Sequence, residues 1–195
     1  MSFDYYSQYA QKFFTATFEV NMSKIYTRFL TDLSPGCSIL DMGCGSGRDA
    51  LYFYKKGYSV DAFDASLEMV KLATQATGLN IKHNTFHSYN VVSSFDGIWA
   101  CASLLHLPKS EHEKIIAKFY EVLNPSGNFY MSFKYGTKDY DKDGRHFSCY
   151  DAASVAGLLD RLLLNCKKEI WISEDVRKER QGECWLNVLL TKYEH

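Results

Sequence analysis

At 195 residues the chain is the size of one domain with a sizeable core, which excludes a stapled mini-protein. Hydrophobic residues at 46%, charged residues at 23% and only three prolines exclude disordered and low-complexity readings. Twenty-two Lys plus Arg against 23 Asp plus Glu give a net charge of −1, which supplies no field to gather nucleic acid or an anionic membrane.

The chain opens on aromatics: Phe3, Tyr5, Tyr6, Tyr9, Phe13, Phe14 and Phe18 fall within the first eighteen residues. Tyr5, Tyr9 and Phe13 recur at four-residue spacing, as do Tyr6, Ala10 and Phe14, which predicts helix with one or two aromatic faces. No basic n-region or apolar h-region is present, so no secretory signal is expected. Five short apolar runs then alternate with helix-like stretches, the pattern of an α/β fold with a mostly parallel sheet. Strands are predicted at 38–42, 58–63, 81–86, 97–102 and 128–133, and helices at 48–56, 66–77 and 110–123. Asn124-Pro-Ser-Gly127 is expected to end the third helix and turn into the fifth strand. Residues 135–144 read as a polar surface loop and 151–164 as a further helix. Two β-rich runs, 169–173 and 184–191, are joined by a connection too short for a parallel crossover, so they form an antiparallel hairpin.

Cysteines 37, 44, 101, 149, 166 and 184 form no C-x-x-C pair and show no metal-ligand spacing, so free thiols in a reducing compartment are expected. No apolar run approaches the eighteen or so residues that span a bilayer. The expected setting is cytoplasmic, with no membrane partner and no metal.

The most informative segment is Ile39-Leu-Asp41-Met-Gly43-Cys-Gly45-Ser-Gly47, a strand entering a glycine turn and then a helix. Glycines there let the backbone approach a ligand that a Cβ would hold off. A dinucleotide loop reads G-x-G-x-x-G/A, whereas Arg48 stands three residues after Gly45 and Asp41 two before Gly43. An acid at the mouth of the loop repels a pyrophosphate and suits an ammonium or sulfonium group. Asp64, at the tip of the second strand, is placed to accept from both hydroxyls of a ribose.

With these residues, and with Val60-Asp-Ala-Phe-Asp-Ala-Ser66, Phe95-Asp-Gly-Ile-Trp-Ala100, Ser103-Leu-Leu-His106 and Val122-Leu-Asn-Pro-Ser-Gly127, the chain resembles the class I S-adenosylmethionine-dependent methyltransferases. Gly47-Arg-Asp-Ala-Leu-Tyr52 and Gly57-Tyr-Ser-Val-Asp-Ala are similar to the tellurite-resistance-type branch and to small uncharacterised bacterial methyltransferases. The resemblance implies one Rossmann-like, doubly wound domain over residues 1–195, with seven strands in the order 3-2-1-4-5-7-6 and strand 7 antiparallel. It implies S-adenosylmethionine as cofactor, with Asp41, Gly43, Cys44 and Gly45 at its methionine end. Asp64, with Ala65 beside it, then holds the ribose, His87 and Ser88 flank the adenine, and Ala100 and Cys101 close its other side. Residues 1–33 become a helical lid carrying Tyr6, Tyr9 and Phe13 toward the cofactor, against the alternative of a helix merely packed on the sheet.

Methyl transfer from a sulfonium needs positioning rather than a triad. Acceptor-side candidates are His106, after strand four, and Arg145 and His146 in the 134–150 substrate loop, with purely structural roles as the alternative. His83, His112 and His195 read as surface residues, and Arg177-Lys-Glu-Arg180 as a solvated hairpin tip. The place after strand four reads Cys101-Ala-Ser-Leu, not the Asn/Asp-Pro-Pro-Tyr/Phe of base or glutamine amino-methylation. The expected activity is therefore methyl transfer to a small molecule at O, N, S or a chalcogen oxyanion. The alternatives are an RNA or protein methyltransferase, a cofactor-binding module without its own acceptor site, and a dinucleotide-dependent oxidoreductase.

Overall fold

The computed structural model describes residues 5, 6 and 8–194; Phe3 and His195 lie outside them. Helices α1 (Ala10–Thr17) and α2 (Ser23–Phe29) precede β1 (Ser38–Met42), α3 (Arg48–Lys55), β2 (Ser59–Asp64), α4 (Leu67–Thr77) and β3 (Ile81–His83). Strand β4 (Phe95–Ala100), a 3-10 turn at Leu104–His106, α5 (Lys109–Glu121) and β5 (Leu123–Tyr135) follow. The rest comprises β6 (Tyr140–Lys142), β7 (Arg145–Phe147), β8 (Cys149–Tyr150), α6 (Ala152–Arg161), β9 (Cys166–Glu174) and β10 (Cys184–Lys192).

The main sheet runs β3-β2-β1-β4-β5-β10-β9, the expected order with β10 as strand 7. Its first five strands are parallel, and β10 is antiparallel to both of its neighbours. An eighth strand, β8, adds to the seven by pairing with Lys134 and Tyr135 of β5. Both faces of the sheet are covered, as parallel strands require. Ile39, Trp99 and Tyr130 pack with Phe29 and Phe53 on one face; Leu40, Ile98 and Met131 pack with Ile116, Phe119 and Leu158 on the other.

Three local expectations are corrected. Strand β3 stops at His83, so the run to Phe86 is connection rather than strand. Asn124–Gly127 lies inside β5, where it shifts the register against β4 between Phe95 and Gly97. The polar loop after β5 contains a small hairpin, β6 paired with β7 about Asp143-Gly144, both at positive φ (53° and 72°). Two such residues form the hairpin turn whose twist matches the strands it joins.

His112, expected at the surface, is 0% exposed. It follows the α5 stripe, three and four residues before Ile115 and Ile116. The Leu104 carbonyl can only accept, so Nε2–H donates to it (3.0 Å) and Nδ1 accepts from the Tyr150 hydroxyl (2.8 Å). Burial pulls its pKa down to about 4 from 6.5. The unfolded chain therefore takes up this proton at higher pH than the folded one. Stability is full above pH 6.5 and is lost as pH falls toward 4, by about 3 kcal/mol for this group. Urea midpoints followed downward from neutral pH should fall in the wild type and fall less in His112→Gln.

Among the described residues, no helix is long and apolar enough to cross a membrane.

Candidate active site

The site is built where β1 and β2 end side by side. After Met42 the chain turns at Gly43 (φ 71°), and the Gly43 and Cys44 N–H groups donate to the Phe63 carbonyl at 2.9 and 3.0 Å. The loop is thereby pinned to the tip of β2. There Asp64 accepts from the Gly45 N–H at Oδ2 (2.9 Å) and from the Ser66 N–H at Oδ1 (2.8 Å). One bond to each oxygen leaves each a further acceptor position. Burial raises the Asp64 pKa, and the backbone donors of Ser66 and Gly45 oppose it. Ser66, at the same time, caps α4 by accepting from the Met69 N–H.

A Cβ at Gly43 would lie 2.8 Å from Ser103 Cβ, at a φ that L-residues avoid. Gly43→Ala is expected to push the loop off Ser103 and cut cofactor affinity by more than tenfold, read by calorimetric titration with S-adenosylhomocysteine. The same place holds two buried polar atoms without a partner, Asp41 Oδ2 and Ser103 Oγ. Burial, followed by the Asp49 charge, pushes the Asp41 carboxyl well above the carboxylate range. A neighbouring cationic group would hold Asp41 ionised.

Beneath the loop, Asp49 gathers four donors: the Tyr26 hydroxyl, Trp99 Nε1 (2.8 Å), and Arg48 Nε and Nη2 (2.6 and 2.8 Å). It is buried, and Arg48, first among the groups opposing burial, holds its pKa below the usual value. Tyr26 on α2 and Trp99 on β4 are thus tied to the start of α3. The sequence reading assigned Asp49 no role; its signal was an acid in the first helical turn after a glycine loop.

The N-terminal segment closes over this cradle. Thr17 Oγ1 lies 3.2 Å from Ser46 Oγ, and Phe13 Cε1 lies 3.3 Å from where a Gly45 Cβ would stand. The Tyr6 ring meets Phe13 edge-on at 4.9 Å, and its hydroxyl lies 2.7 Å from His106 Nε2. His106 Nδ1–H donates to the His146 carbonyl (2.7 Å), so Nε2 accepts from Tyr6. An arc of Phe13, Tyr6 and His106 therefore runs from the glycine loop to the turn after β4. Tyr9 lies off it, 42% exposed and against the Tyr5 ring; Tyr5 takes the inward place expected of Tyr9.

The cavity enclosed is about 970 Å³, at the upper end of the range for small-molecule sites. Gly43, Cys44, Gly45, Asp64 and Ala65 line it, and His87 and Cys101 stand further along. Tyr6, Phe13, His106 and Arg145 line it too, Phe13 against Gly45 and Tyr6 against His106. Asp41 and Ala100 are buried behind the wall, and Ser88 faces a separate surface depression. The His146 side chain stands near Asp141 and Ser148, and its carbonyl accepts from His106 Nδ1 in the site. Because β3 ends early, Asn84, Thr85 and Phe86 line the cavity together with His87. The β9–β10 connection is not a solvated tip: Arg177 holds Asp175 through Nε (2.9 Å) and Nη2 (2.6 Å), and both line the cavity.

Burial pushes the Cys44 thiol up and the Cys101 thiol to about 12, so neither supplies a thiolate at neutral pH. All six cysteines are free. Among the described residues, no cluster of His, Cys, Asp or Glu is arranged to hold a metal.

Comparison with known proteins finds methyltransferases. A family described as a methyltransferase domain matches residues 39–127. Methyltransferase GfsG of Streptomyces halstedii is 30% identical over 113 residues, 53% of this chain and 39% of that protein. The probable S-adenosyl-L-methionine-dependent methyltransferase TehB of Haemophilus influenzae is 29% identical over 100 residues, 49% of this chain and 35% of that one. The chain therefore spans well under half the length of these curated relatives. Among solved structures, the 1,6-didemethyltoxoflavin-N1-methyltransferase of Burkholderia thailandensis, with its namesake compound and S-adenosylhomocysteine bound, superposes with a TM-score of 0.77. That pair is 22% identical and covers 98% of this chain and 86% of the other. The chain shares the fold of this solved methyltransferase, and residues 39–127 match the methyltransferase-domain family.

Proposed function

We propose that the protein binds S-adenosylmethionine in this cavity and methylates a small-molecule acceptor, in the reducing setting its six free cysteines suit. The observation that carries the reading is one continuous cavity joining the Gly43–Gly45 cradle and Asp64 to an aromatic- and arginine-lined end. The residues present fit the cofactor: the unpartnered Asp41 and Ser103 oxygens beside the cradle answer a cationic amino-acid end, and Asp64 answers a ribose. When bound, the cofactor supplies a methyl group made electrophilic by a sulfonium, which an acceptor lone pair displaces in line. The glycine loop holds one end, with the Asp41 carboxyl buried behind it supplying negative charge, and Asp64 holds the middle. Phe13 and Tyr6 cover the site and exclude water. Such positioning can lower a barrier by roughly 7–11 kcal/mol. Relatives named as methyltransferases, and a structural neighbour with 1,6-didemethyltoxoflavin bound, support a small acceptor.

His106 serves here as a latch rather than a base. Burial pulls its pKa down to about 4, and its Nε2 is already taken by Tyr6. A base that weak is poorly matched to neutral pH. The pH–rate profile is expected to show no His106 inflection between pH 6 and 8, while His106→Leu loosens cofactor retention through Tyr6. An inflection that the substitution abolishes would restore His106 as the base.

The test of the function is tritium transfer from methyl-labelled S-adenosylmethionine to metabolite extracts, tellurite, bulk tRNA and cell protein. Label in the small-molecule fraction is expected. Label in tRNA or protein alone gives the acceptor to a macromolecule, and cofactor binding without any transfer leaves a binding module.

A further inference from the structure

The acceptor end of the cavity holds a buried cation with little to balance it. Lys134 has Glu183 at 2.5 Å and Asp175 at 3.8 Å, and Arg177 holds Asp175 through two donors. Among the described residues, Arg145, 7% exposed, meets one carboxylate, by a long contact from Nη2 to Asp143 Oδ2 at 3.4 Å, and that carboxylate stands largely in solvent; its other polar neighbour is the neutral Tyr6 hydroxyl. Its Nε is buried without a hydrogen-bond partner among the described residues.

The aromatics around Arg145 select which part of it can bind. The Tyr5 ring lies 3.8 Å from Cζ and the Phe147 ring 5.2 Å from it. Rings so close engage the face of a guanidinium, and what remains is its in-plane edge. The Nε and Nη2 donors on one edge match the two oxygens of a carboxylate. Among the described residues that edge is the under-used one: Nε has no acceptor and Nη2 meets a carboxylate only at a distance. A buried charge left this way is costly until an anion meets it. The same cavity is lined by acids such as Asp64, Glu174 and Asp175 and by cations such as Arg48, Lys134 and Arg177, so the planar Nε/Nη2 fork, rather than the charge of the lining, is what points to a carboxylate.

We propose that the Nε/Nη2 edge of Arg145 is the anchor for a carboxylate on the methyl acceptor, so that the substrate is a small carboxylic acid. The inference rests on the methyl-transfer reading above. The bound acid displaces the weak Asp143 contact, and the Tyr5 and Phe147 rings fix the plane in which it enters.

The test uses protein loaded with S-adenosylhomocysteine and labelled with ¹⁵N-arginine. Acetate, benzoate and phenylacetate are titrated while the Arg145 Nε–H resonance is followed, with benzamide and phosphate as neutral and dianionic controls. At least one acid is expected to shift and saturate that resonance, about tenfold more tightly than either control. Arg145→Gln should erase the preference for acid over amide; Arg145→Lys, which keeps the charge but not the fork, should fall between. The proposal is overturned if no acid moves the resonance, or if phosphate binds more tightly than the acids. It is also overturned if S-adenosylhomocysteine alone saturates the signal and Arg145→Gln weakens that ligand, because the fork then belongs to the cofactor's own carboxylate. Failure of the wild type to bind S-adenosylhomocysteine would instead remove the methyl-transfer reading itself.

Discussion

Asp64→Ala should weaken S-adenosylhomocysteine binding by about two to four decades. Two charge-assisted hydrogen bonds to a ribose are worth about 1.5–3 kcal/mol each, and each 1.4 kcal/mol is tenfold. Asp64 also ties down Gly45 and Ser66 through the same carboxylate, so its removal loosens the cradle as well as the ribose contact. Asp64→Asn keeps one acceptor oxygen and should lose less. Calorimetric titration gives the affinity, and a thermal melt checks that the fold survives. An affinity within about threefold of wild type, in a folded variant, would take the ribose away from Asp64.

The second large effect is on stability. Asp49→Ala strips the partner from a buried guanidinium, the Tyr26 hydroxyl and the Trp99 indole at once. Breaking a buried pair from one side typically costs about 3–5 kcal/mol, because the remaining charge has nowhere to go. Adding Arg48→Met to Asp49→Ala should return part of that loss, the signature of an uncompensated charge rather than of a cavity. Urea denaturation of both single variants, the double variant and the wild type measures these differences. The Arg48 side chain also reaches the Thr17 carbonyl at 3.4 Å, so Asp49→Ala should loosen the N-terminal cover and raise the dissociation rate of the cofactor. Additive losses from Arg48→Met and Asp49→Ala would contradict the coupling.

What the sequence made legible was local. The β1 strand, the glycine turn and Asp64 lie within 27 residues, and their chemistry follows from residue type and spacing. The strand order came with the resemblance, and the terminal antiparallel pair from the shortness of its connection. What escaped depended on distant packing. Asp49 gathers Tyr26 and Trp99 from 23 and 50 residues away, and nothing in its own segment announces them. Tyr5 and Tyr9 share one helical face, so spacing alone could not say which ring turns inward.

Two misses had readable signals. Asp143-Gly144, a strong hairpin dipeptide, sat in a stretch taken as plain loop because its polarity outweighed its turn chemistry. His112 shares the spacing of the apolar stripe Ile115, Ile116 and Phe119, and only its titratable ring argued for the surface. The charged run near Arg177 failed for the converse reason: its ion pairs close on one another at the cavity rim instead of dissolving into solvent.

The central claim is that the cradle, Asp64 and the aromatic cover together form an S-adenosylmethionine site and not a dinucleotide site. Isothermal titration of the wild-type protein with S-adenosylhomocysteine, and separately with NAD and NADH, tests it most directly. One equivalent of S-adenosylhomocysteine should bind, with no saturable heat from either dinucleotide. Saturable binding of NAD or NADH with none of S-adenosylhomocysteine would contradict it.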